Sequence, residues 1–252
     1  MNTIIDHFSR IIIIQVGCGG TGSWLVPLVS KLANNIKLRL PLSKLIEYII
    51  IDNDIVEDRN ILRQNFSNWD IGKIKSQALV NKACYEFEEI VASSKRIQKT
   101  SDIINIIKTN LDNCLIIMLG CVDNNISRHN MLKISKKLSK QYKNSKLSIV
   151  YIDSGNLLHN GQIITQAFNC PDWILQKSSK KKKKLNFKDI FPINVENDTP
   201  EQSCAFFGDQ SQAINSLAAT LMFINLQKIL VTSELPPELI TFNSSGYSTF
   251  EI

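Results

Sequence analysis

The chain of 252 residues is 44% hydrophobic and 21% charged, which is typical of a globular protein with a substantial core. These values exclude a small disulfide-stapled protein, a collagen-like chain and a mostly disordered one. The formal charge of +6 comes from one stretch, because Lys177 and Lys180 to Lys184 carry six positive charges. The rest of the chain is neutral and no aromatic residue interrupts the lysine run, so a nucleic-acid-binding surface is not expected.

Membrane insertion and export are not indicated either. No apolar run approaches the roughly 18 residues of a membrane-spanning helix. The apolar tract Ile11 to Ile14 leads into glycines and not into a cleavage site. The six cysteines form no Cys-x-x-Cys pair, and the three histidines are scattered, so no zinc-ligand spacing is present. We therefore expect a cytoplasmic protein without zinc.

Apolar strands alternate with helical patterns through the first part of the chain. The predicted strands are Ile11 to Val16, Tyr48 to Ile51, Leu115 to Leu119 and Leu147 to Ile152. Helices are predicted after Gly22 and over Lys75 to Glu88. This alternation predicts an α/β fold with a Rossmann-like, doubly wound, mostly parallel sheet that binds ligands at the carboxyl ends of its strands.

The pattern changes after Asp153. A strand is predicted over Gln162 to Phe168, then a low-complexity lysine loop, then a long apolar helix over Asp209 to Val231. Leu239 to Phe242 and Tyr247 to Glu251 are separated by turn residues and predict a hairpin. We therefore expect a C-terminal mixed or antiparallel extension of the sheet.

A glycine-rich turn follows the first strand, with the sequence Gly17-Cys18-Gly19-Gly20-Thr21-Gly22. Glycines at the start of a helix let the backbone approach a phosphate, whose charge the helix dipole favours. A tight strand-to-helix turn without a ligand would also explain such a motif when it stands alone. The interpretation therefore depends on the residues that follow.

The second strand ends at Asp52, where a ribose-binding acid is expected. This acid lies 30 residues after Gly22, whereas a nicotinamide-binding enzyme has it about 20 residues on. Arg63 and Lys75 have no obvious role beside a nicotinamide, but they could hold the phosphates of a nucleoside triphosphate. Asp123 would then be the carboxylate that binds Mg²⁺ beside those phosphates.

Together these residues resemble one family. The glycine turn is followed by Asp52-x-Asp54-x-Val56-x-x-x-Asn60-x-x-Arg63-Gln64, then Gly72-x-x-Lys75, then Asp123-Asn124-x-x-x-Arg128. This order resembles the ThiF/MoeB/HesA adenylyltransferases, relatives of ubiquitin-activating enzymes. Later motifs are similar to those of ThiF-like proteins of the PRTRC gene cluster, namely Asp153-x-Gly155, Gly161-Gln162, Asp189 to Pro192, Asp198 to Pro200, Ser203-Cys204, Gln210 and Asn215.

The resemblance implies a homodimeric enzyme that uses ATP and Mg²⁺ to adenylate the C-terminal carboxylate of a small β-grasp, ubiquitin-like or sulfur-carrier protein. Pyrophosphate is released. By the same resemblance, the nucleotide is bound by the following residues: Gly17, Gly19, Gly20, Gly22, Asp52, Asp54, Asn60, Arg63, Gln64, Lys75 and Asp123. Arg63, Lys75 and Asp123 would be catalytic. The chain would form one adenylation domain over residues 1–252, with a nucleotide-binding half (1–153) and a half for the partner and the crossover loop (154–252).

Cys204 and the missing N-terminal arginine leave alternatives open. Cys204 falls just before the long helix, where it could accept the activated carboxylate or a sulfur, or could simply be packed in the core. Cys18, Cys114 and Cys121 are expected in the core. Only nine residues precede Arg10, too few for the N-terminal helix whose arginine reaches across the dimer in many relatives. Either another arginine replaces it or catalysis is weak.

The alternatives to an adenylyltransferase are an NAD- or FAD-dependent oxidoreductase and a nucleotide-binding scaffold that has lost catalysis. The lysine run Lys180 to Lys184 is either a solvated loop or a surface that steers an acidic β-grasp partner. If the lysine run steers the partner, replacing its five lysines with serine should slow the association of the partner at low salt.

Overall fold

Strand β1 (Arg10–Val16) lies inside an eight-stranded sheet in the computed structural model of the protein. The structure describes residues 4–41, 44–108, 110–171, 187–192 and 211–244, and the backbone of residues 246–250. The other strands are β2 (Leu45–Ile51), β3 (Ile90–Ser93), β4 (Cys114–Gly120), β5 (Ser148–Asn156), β6 (Asn160–Phe168), β7 (Leu239–Asn243) and β8 (Gly246–Phe250).

The strand order is β3-β2-β1-β4-β5-β6-β7-β8. The strands from β3 to β5 are parallel, and the pairs β5–β6, β6–β7 and β7–β8 are antiparallel. The predicted doubly wound sheet with an antiparallel C-terminal extension is therefore confirmed. The chain reverses its direction of travel across the sheet between β1 and β4, and this reversal opens a crevice at the carboxyl ends of those strands.

Helices cover both faces of the sheet. They are α1 (Ile4–His7), α2 (Gly20–Lys37), α3 (Asp58–Ile61), α4 (Lys75–Ala83), α5 (Thr100–Ile107), α6 (Asn125–Gln141), α7 (Phe187–Ile190) and α8 (Gln212–Gln227). One buried layer joins the sheet to α2, α4 and α8, and the other joins it to α5 and α6. Burial on both faces explains why the parallel strands are continuous apolar runs.

The helix predicted over Lys75 to Glu88 is shorter in the structure and ends at Ala83. The chain turns there, and Phe87 becomes fully buried before β3 begins. Tyr85, between them, is almost fully exposed. The prediction overextended this helix because apolar residues continue at helical spacing into a turn.

The long C-terminal helix α8 begins after Ser211, whose Oγ accepts a hydrogen bond from Ala213 N at 3.2 Å. It continues as a π-helix over Lys228–Thr232. By length and composition alone, the stretch Gln212–Thr232 could cross a membrane, but most of it is buried against the sheet and α2, as expected for a core helix. The predicted residues Asp209, Gln210, Cys204 and Lys180 to Lys184 lie outside the described residues.

Candidate active site

The carboxyl ends of β1, β2, β4 and β5 surround a cavity of about 450 Å³, which we call the first cavity. This volume is within the range of small-molecule sites. Ten predicted site residues line it, namely Gly17, Gly19, Gly20, Asp52, Asp54, Asn60, Arg63, Gln64, Lys75 and Asp123. Gly22, the last residue of the glycine turn, is buried and does not line the cavity. Segments far apart in sequence meet here because parallel strands end at one edge of the sheet.

The glycine turn is held in shape by close backbone approaches. Gly17 has a φ of +100°, and a Cβ there would strike the carbonyl of Cys121. Gln15, fully buried within β1, donates hydrogen bonds from Nε2 to the carbonyls of Gly17 at 3.0 Å and Gly22 at 2.9 Å. Tyr48 Oη donates to Gln15 Oε1 at 2.5 Å. A polar residue inside an apolar strand was the sequence signal for Gln15, and the sequence analysis missed it.

Asp52 ties the end of β2 to the glycine turn. Its Oδ2 accepts from Cys18 N at 2.5 Å, and its Oδ1 accepts from Asp54 N at 2.8 Å. Burial raises the pKa of Asp52, although these two hydrogen bonds and the charge of Lys75 favour the carboxylate. Each oxygen keeps a further lone pair that can accept from a ligand hydroxyl.

Lys75 begins α4 and points towards the cavity. Its side chain is 10% exposed, and its Nζ lies 3.2 Å from Asp54 Oδ2. Its backbone N donates to Asp54 O at 2.8 Å, so two contacts join the residues. The side chain of Asp54 is mostly exposed, so the ammonium keeps a net attraction for phosphates.

The short helix α3 and the residues just after it carry Asn60, Arg63 and Gln64. Glu57 N donates to Asn60 Oδ1 at 2.9 Å, which fixes the buried Asn60 at the helix start. The carbonyl of Arg63 accepts from Trp24 Nε1 at 3.3 Å, which anchors the backbone that presents the half-buried arginine. Gln64 is buried, and its Oε1 has no hydrogen-bond partner in the described part of the chain.

Asp123 is exposed at the rim of the first cavity. Asn124 Nδ2 donates to Asp123 Oδ1 at 3.2 Å, and Asn124 Oδ1 caps α6 by accepting from Ser127 N at 2.8 Å. Arg128 donates to the carbonyl of Val122 and so holds the same loop. These contacts fix the position of Asp123, which among the described residues is the only carboxylate that lines both this cavity and an adjoining one.

A second cavity of about 810 Å³ adjoins the first and shares Asp123 and Asn156 with it. Its walls come from the ends of β5, β6 and β7 and from the segment around α7. Polar uncharged side chains predominate, including Asn125, Asn156, Asn160, Gln162, Thr241 and Asn243. Asn125 Nδ2 and Gln162 Nε2 donate to the carbonyls of Pro192 (2.8 Å) and Ile190 (2.9 Å), which fixes the wall around α7.

A buried charge cluster lies beside the second cavity, and Arg128 belongs both to the cluster and to the cavity wall. Arg128 Nη1 lies 2.9 Å from Asp153 Oδ1, and the guanidinium lies 4.9 Å from the centre of the Phe191 ring. Tyr151 Oη donates to Asp153 Oδ2. Burial raises the pKa of Asp153 to about 6, although Arg128 and Tyr151 favour its ionised form. In the sequence, Asp153 was notable only as a strand end and as part of the motif Asp153-x-Gly155, and its pairing with Arg128 was not predicted.

Several residues that the sequence analysis passed over also line or join the cavities. The cations Arg59, Lys95 and Arg96 line the first cavity, so basic residues other than Arg63 and Lys75 stand where phosphates would bind. Asn156 and Asn215 are hydrogen-bonded to each other at 2.5 Å. Asn215 appeared in the sequence only as a mark of family resemblance.

The cysteines of the described residues are free. Cys18, Cys114 and Cys121 are buried as expected, and burial raises the pKa of each thiol. In the described ranges, no group of three or more His, Cys, Asp or Glu residues could hold a metal ion. The absence of zinc from the whole protein stays a prediction, as does the role of Cys204.

The fold has counterparts among solved structures. E. coli MccB with ATP is 18% identical in sequence, and the structures superpose with a TM-score of 0.58. The alignment covers 95% of this chain and 63% of the MccB chain. E. coli MccB with SeMet MccA is 17% identical, with a TM-score of 0.56, and the alignment covers 96% of this chain and 64% of the MccB chain. SeMet PaaA is 14% identical, with a TM-score of 0.57, and the alignment covers 98% of this chain and 65% of the PaaA chain.

This likeness concerns the fold, and the chain spans less than two thirds of the length of these structures. No curated protein sequence matches the chain. The model of the ThiF family matches residues 6–251. Because this match covers nearly the whole chain, and the motif residues surround one cavity, the protein is a member of the ThiF family.

Proposed function

We propose that this protein adenylates the C-terminal carboxylate of a peptide or small protein at the expense of ATP. The observation that carries the proposal is the pair of adjoining cavities, which share Asp123 and Asn156. Several cations and the glycine turn line the first cavity, whereas polar uncharged side chains are the most numerous group in the lining of the second. A nucleotide in the first and a peptide tail in the second would meet at the shared residues.

The reaction needs positioning and charge neutralisation more than proton transfer. A carboxylate oxygen attacks the α-phosphorus, the bond from that phosphorus to the oxygen bridging to the β-phosphate breaks, and pyrophosphate leaves with the bonding electrons. Arg63 and Lys75 line the cavity in which the triphosphate would lie, so they are the cations we assign to its phosphates. Asp52 would accept from the ribose hydroxyls.

Mg²⁺ fits this site through Asp123. A hard cation of this kind binds through one or two carboxylates together with phosphate oxygens, so a single exposed aspartate at the junction is a suitable protein ligand. When bound, Mg²⁺ neutralises phosphate charge. Asp123→Asn should therefore weaken the dependence of nucleotide affinity on Mg²⁺, which calorimetry with and without the ion would detect.

The substrate we propose is a β-grasp, ubiquitin-like or sulfur-carrier protein, as the resemblance to the PRTRC-associated ThiF-like proteins implies. One structural neighbour is MccB in a crystal with MccA, which supports a small peptide or protein as substrate. Apart from Asp123 and Arg128, the side chains that line the second cavity are uncharged, which favours a tail without charged side chains next to its carboxylate.

We also propose a homodimer in the cytoplasm. Ile55, Leu62 and Trp69 are apolar residues exposed on the segments that follow β2, and Trp69 is 87% exposed. Burial of such residues against a second copy would remove apolar area from water. Light scattering should give twice the mass of one chain. The free buried cysteines agree with a reducing compartment.

ATP–pyrophosphate exchange tests the function. The substrates are any β-grasp protein found encoded beside the gene and hexapeptides ending in glycine, alanine or asparagine, each also prepared as a C-terminal amide. We expect exchange with a free carboxylate, none with the amide, and loss of exchange in Arg63→Ala and Asp123→Ala. ATP binding without exchange would favour the scaffold, and NADH binding without ATP binding would favour the oxidoreductase.

The proposed second step transfers the activated acyl group to Cys204. The thiolate attacks the carbonyl carbon of the adenylate, a thioester forms and AMP leaves. Mass spectrometry of the denatured protein should find the thioester in the wild type and not in Cys204→Ser. Exchange without any covalent adduct in the wild type would contradict this step while leaving adenylation intact.

A further inference from the structure

The end of β5 passes between the two cavities. Ser154 and Asn156 are two residues apart on this strand, so their side chains lie on the same face of the sheet. Both line the first cavity, and Asn156 lines the second as well. Neither residue had a role in the sequence analysis.

Ser154 carries an unusual hydroxyl. The residue is 1% exposed, and its Oγ has no hydrogen-bond partner in the part of the chain that the structure describes. A buried hydroxyl without a partner costs free energy and is rare in native proteins. Because Ser154 lines the first cavity, an oxygen atom of a ligand there would satisfy this donor.

The side chain of Asn156 is held from two sides. Its Oδ1 accepts from Thr21 Oγ1 at 3.0 Å, and its Nδ2 donates to Asn215 Oδ1 at 2.5 Å. An amide nitrogen has two hydrogens, so one N–H of Asn156 is left to donate elsewhere. Asn215 is fully buried, and its own Nδ2 lies 3.5 Å from the carbonyl of Arg63. The amide is therefore oriented by its neighbours before any ligand binds.

We propose that Ser154 Oγ and Asn156 Nδ2 form a donor pair that binds the oxygens of the acyl phosphate as it forms between the substrate carboxylate and the α-phosphorus. This inference rests on the proposed adenylation. The junction of the cavities is where the new bond would form, and fixed donors stabilise the charge that develops there without having to reorganise. Asn156 and Asp123 line both cavities, and Asn156 is the one of the two that can donate a hydrogen bond to both substrates.

The test uses two sulfamate probes that differ only in an acyl group. One is 5′-O-[N-(acetylglycyl)sulfamoyl]adenosine, which imitates an acyl adenylate and must cross the junction. The other is 5′-O-sulfamoyladenosine, which lacks the acyl group. Calorimetry on the full-length protein gives the dissociation constant of each probe, and thermal unfolding gives the stability of each variant.

For Asn156→Ala we expect the acyl probe to bind about tenfold more weakly, as for one lost hydrogen bond to a charged group, and the unacylated probe to change less than about twofold. Thr21→Val should reproduce part of this loss by releasing Asn156, and Thr21→Ser should restore binding because it keeps the donor. Asn130→Ala is the matched control, since Asn130 is a half-buried, hydrogen-bonded asparagine that lines neither cavity.

Ser154→Ala should affect binding and stability differently from the removal of a hydroxyl that stabilises the fold. Because the hydroxyl has no partner in the free protein, its removal should leave thermal stability unchanged or raise it, while the acyl probe binds about fivefold more weakly. Ser139→Ala is the matched control, because Ser139 Oγ donates to Lys136 O at 3.1 Å and lies outside both cavities. This control should lose stability and keep its affinity.

Equal weakening of both probes in Asn156→Ala, or a clear loss of stability in Ser154→Ala without loss of affinity, would overturn the donor pair. A wild type that prefers the acyl probe through Asn156 but never catalyses exchange would support the donor pair and contradict the proposed function. A wild type that binds neither probe would contradict both.

Discussion

Lys75 Nζ lies 3.2 Å from Asp54 Oδ2, so a buried ammonium reaches the first cavity with its position already fixed by an exposed carboxylate. The pair joins the start of α4 to the segment after β2, where the backbones of the same two residues are hydrogen-bonded at 2.8 Å. Asp54 therefore has a positioning role, and Lys75 is the group that would contact phosphate.

Lys75→Met should weaken ATP binding by about 10- to 100-fold, because it removes a charged donor to phosphate. Asp54→Asn should have a smaller effect, since the lysine keeps its charge and its backbone contact. Calorimetry with MgATP measures both. Lys82→Met is the control, because Lys82 pairs with Asp70 and does not line the cavity. An equal loss in Lys82→Met would contradict the assignment.

Asp52→Ala should destabilise the protein as well as weaken ATP binding. The N–H of the buried Cys18 loses its acceptor, which costs about 1–3 kcal/mol of unfolding free energy, whereas the exposed Asp54 N–H can bind water instead. Urea unfolding measures the first effect and calorimetry the second. If stability is unchanged and only binding is lost, Asp52 serves the ligand alone and does not shape the glycine turn.

Arg128→Met should be strongly destabilising, by about 3–5 kcal/mol, because Asp153 would remain buried without its charge partner. The double variant Arg128→Met with Asp153→Asn should recover part of this loss, since it removes the unpaired charge. Chemical unfolding of the single and double variants forms a double-mutant cycle. If the unfolding free energy lost in the double variant equals the sum of the losses in the two single variants, the two residues are not coupled and the prediction is wrong.

Asp153 should make stability depend on pH. An aspartate whose pKa is about 6 in the folded protein, against about 4 in the unfolded chain, binds its proton more tightly when folded. Its contribution to stability therefore falls as the pH rises from about 4 to about 6. The difference in unfolding free energy between wild type and Asp153→Asn should decrease over this interval and stay level above it. A difference that rises with pH would contradict the raised pKa.

The parallel strands of the sheet could be predicted from sequence, because a strand that is buried on both faces is a continuous apolar run such as Ile11 to Ile14. Strand β3 (Ile90–Ser93) could not, since it has four residues at a sheet edge and Val91 is exposed. Helix α6 (Asn125–Gln141) was also missed because lysines and serines obscure its apolar stripe.

Most motif residues of the first cavity were predictable because they stand at or shortly after the end of a strand or at the start of a helix. Arg63 and Gln64 follow α3, and Gln64 was identified only through the family motif. Asn156 and Asn215 were not predictable, because they are 59 residues apart and meet only when α8 packs beside β5. The same holds for Ser154, whose sequence position gives no sign that its hydroxyl lacks a partner. Contacts of this kind depend on tertiary packing and leave no local pattern.

Transfer of an oxygen isotope tests the central claim most directly. A hexapeptide with an ¹⁸O-labelled C-terminal carboxylate is incubated with the protein, MgATP and hydroxylamine, which attacks the carbonyl carbon of an acyl adenylate and releases AMP. If the carboxylate oxygen attacks the α-phosphorus, mass spectrometry will find one ¹⁸O atom in the AMP and pyrophosphate as the other product. Unlabelled AMP, or ADP and inorganic phosphate as the products, would contradict adenylation by this site.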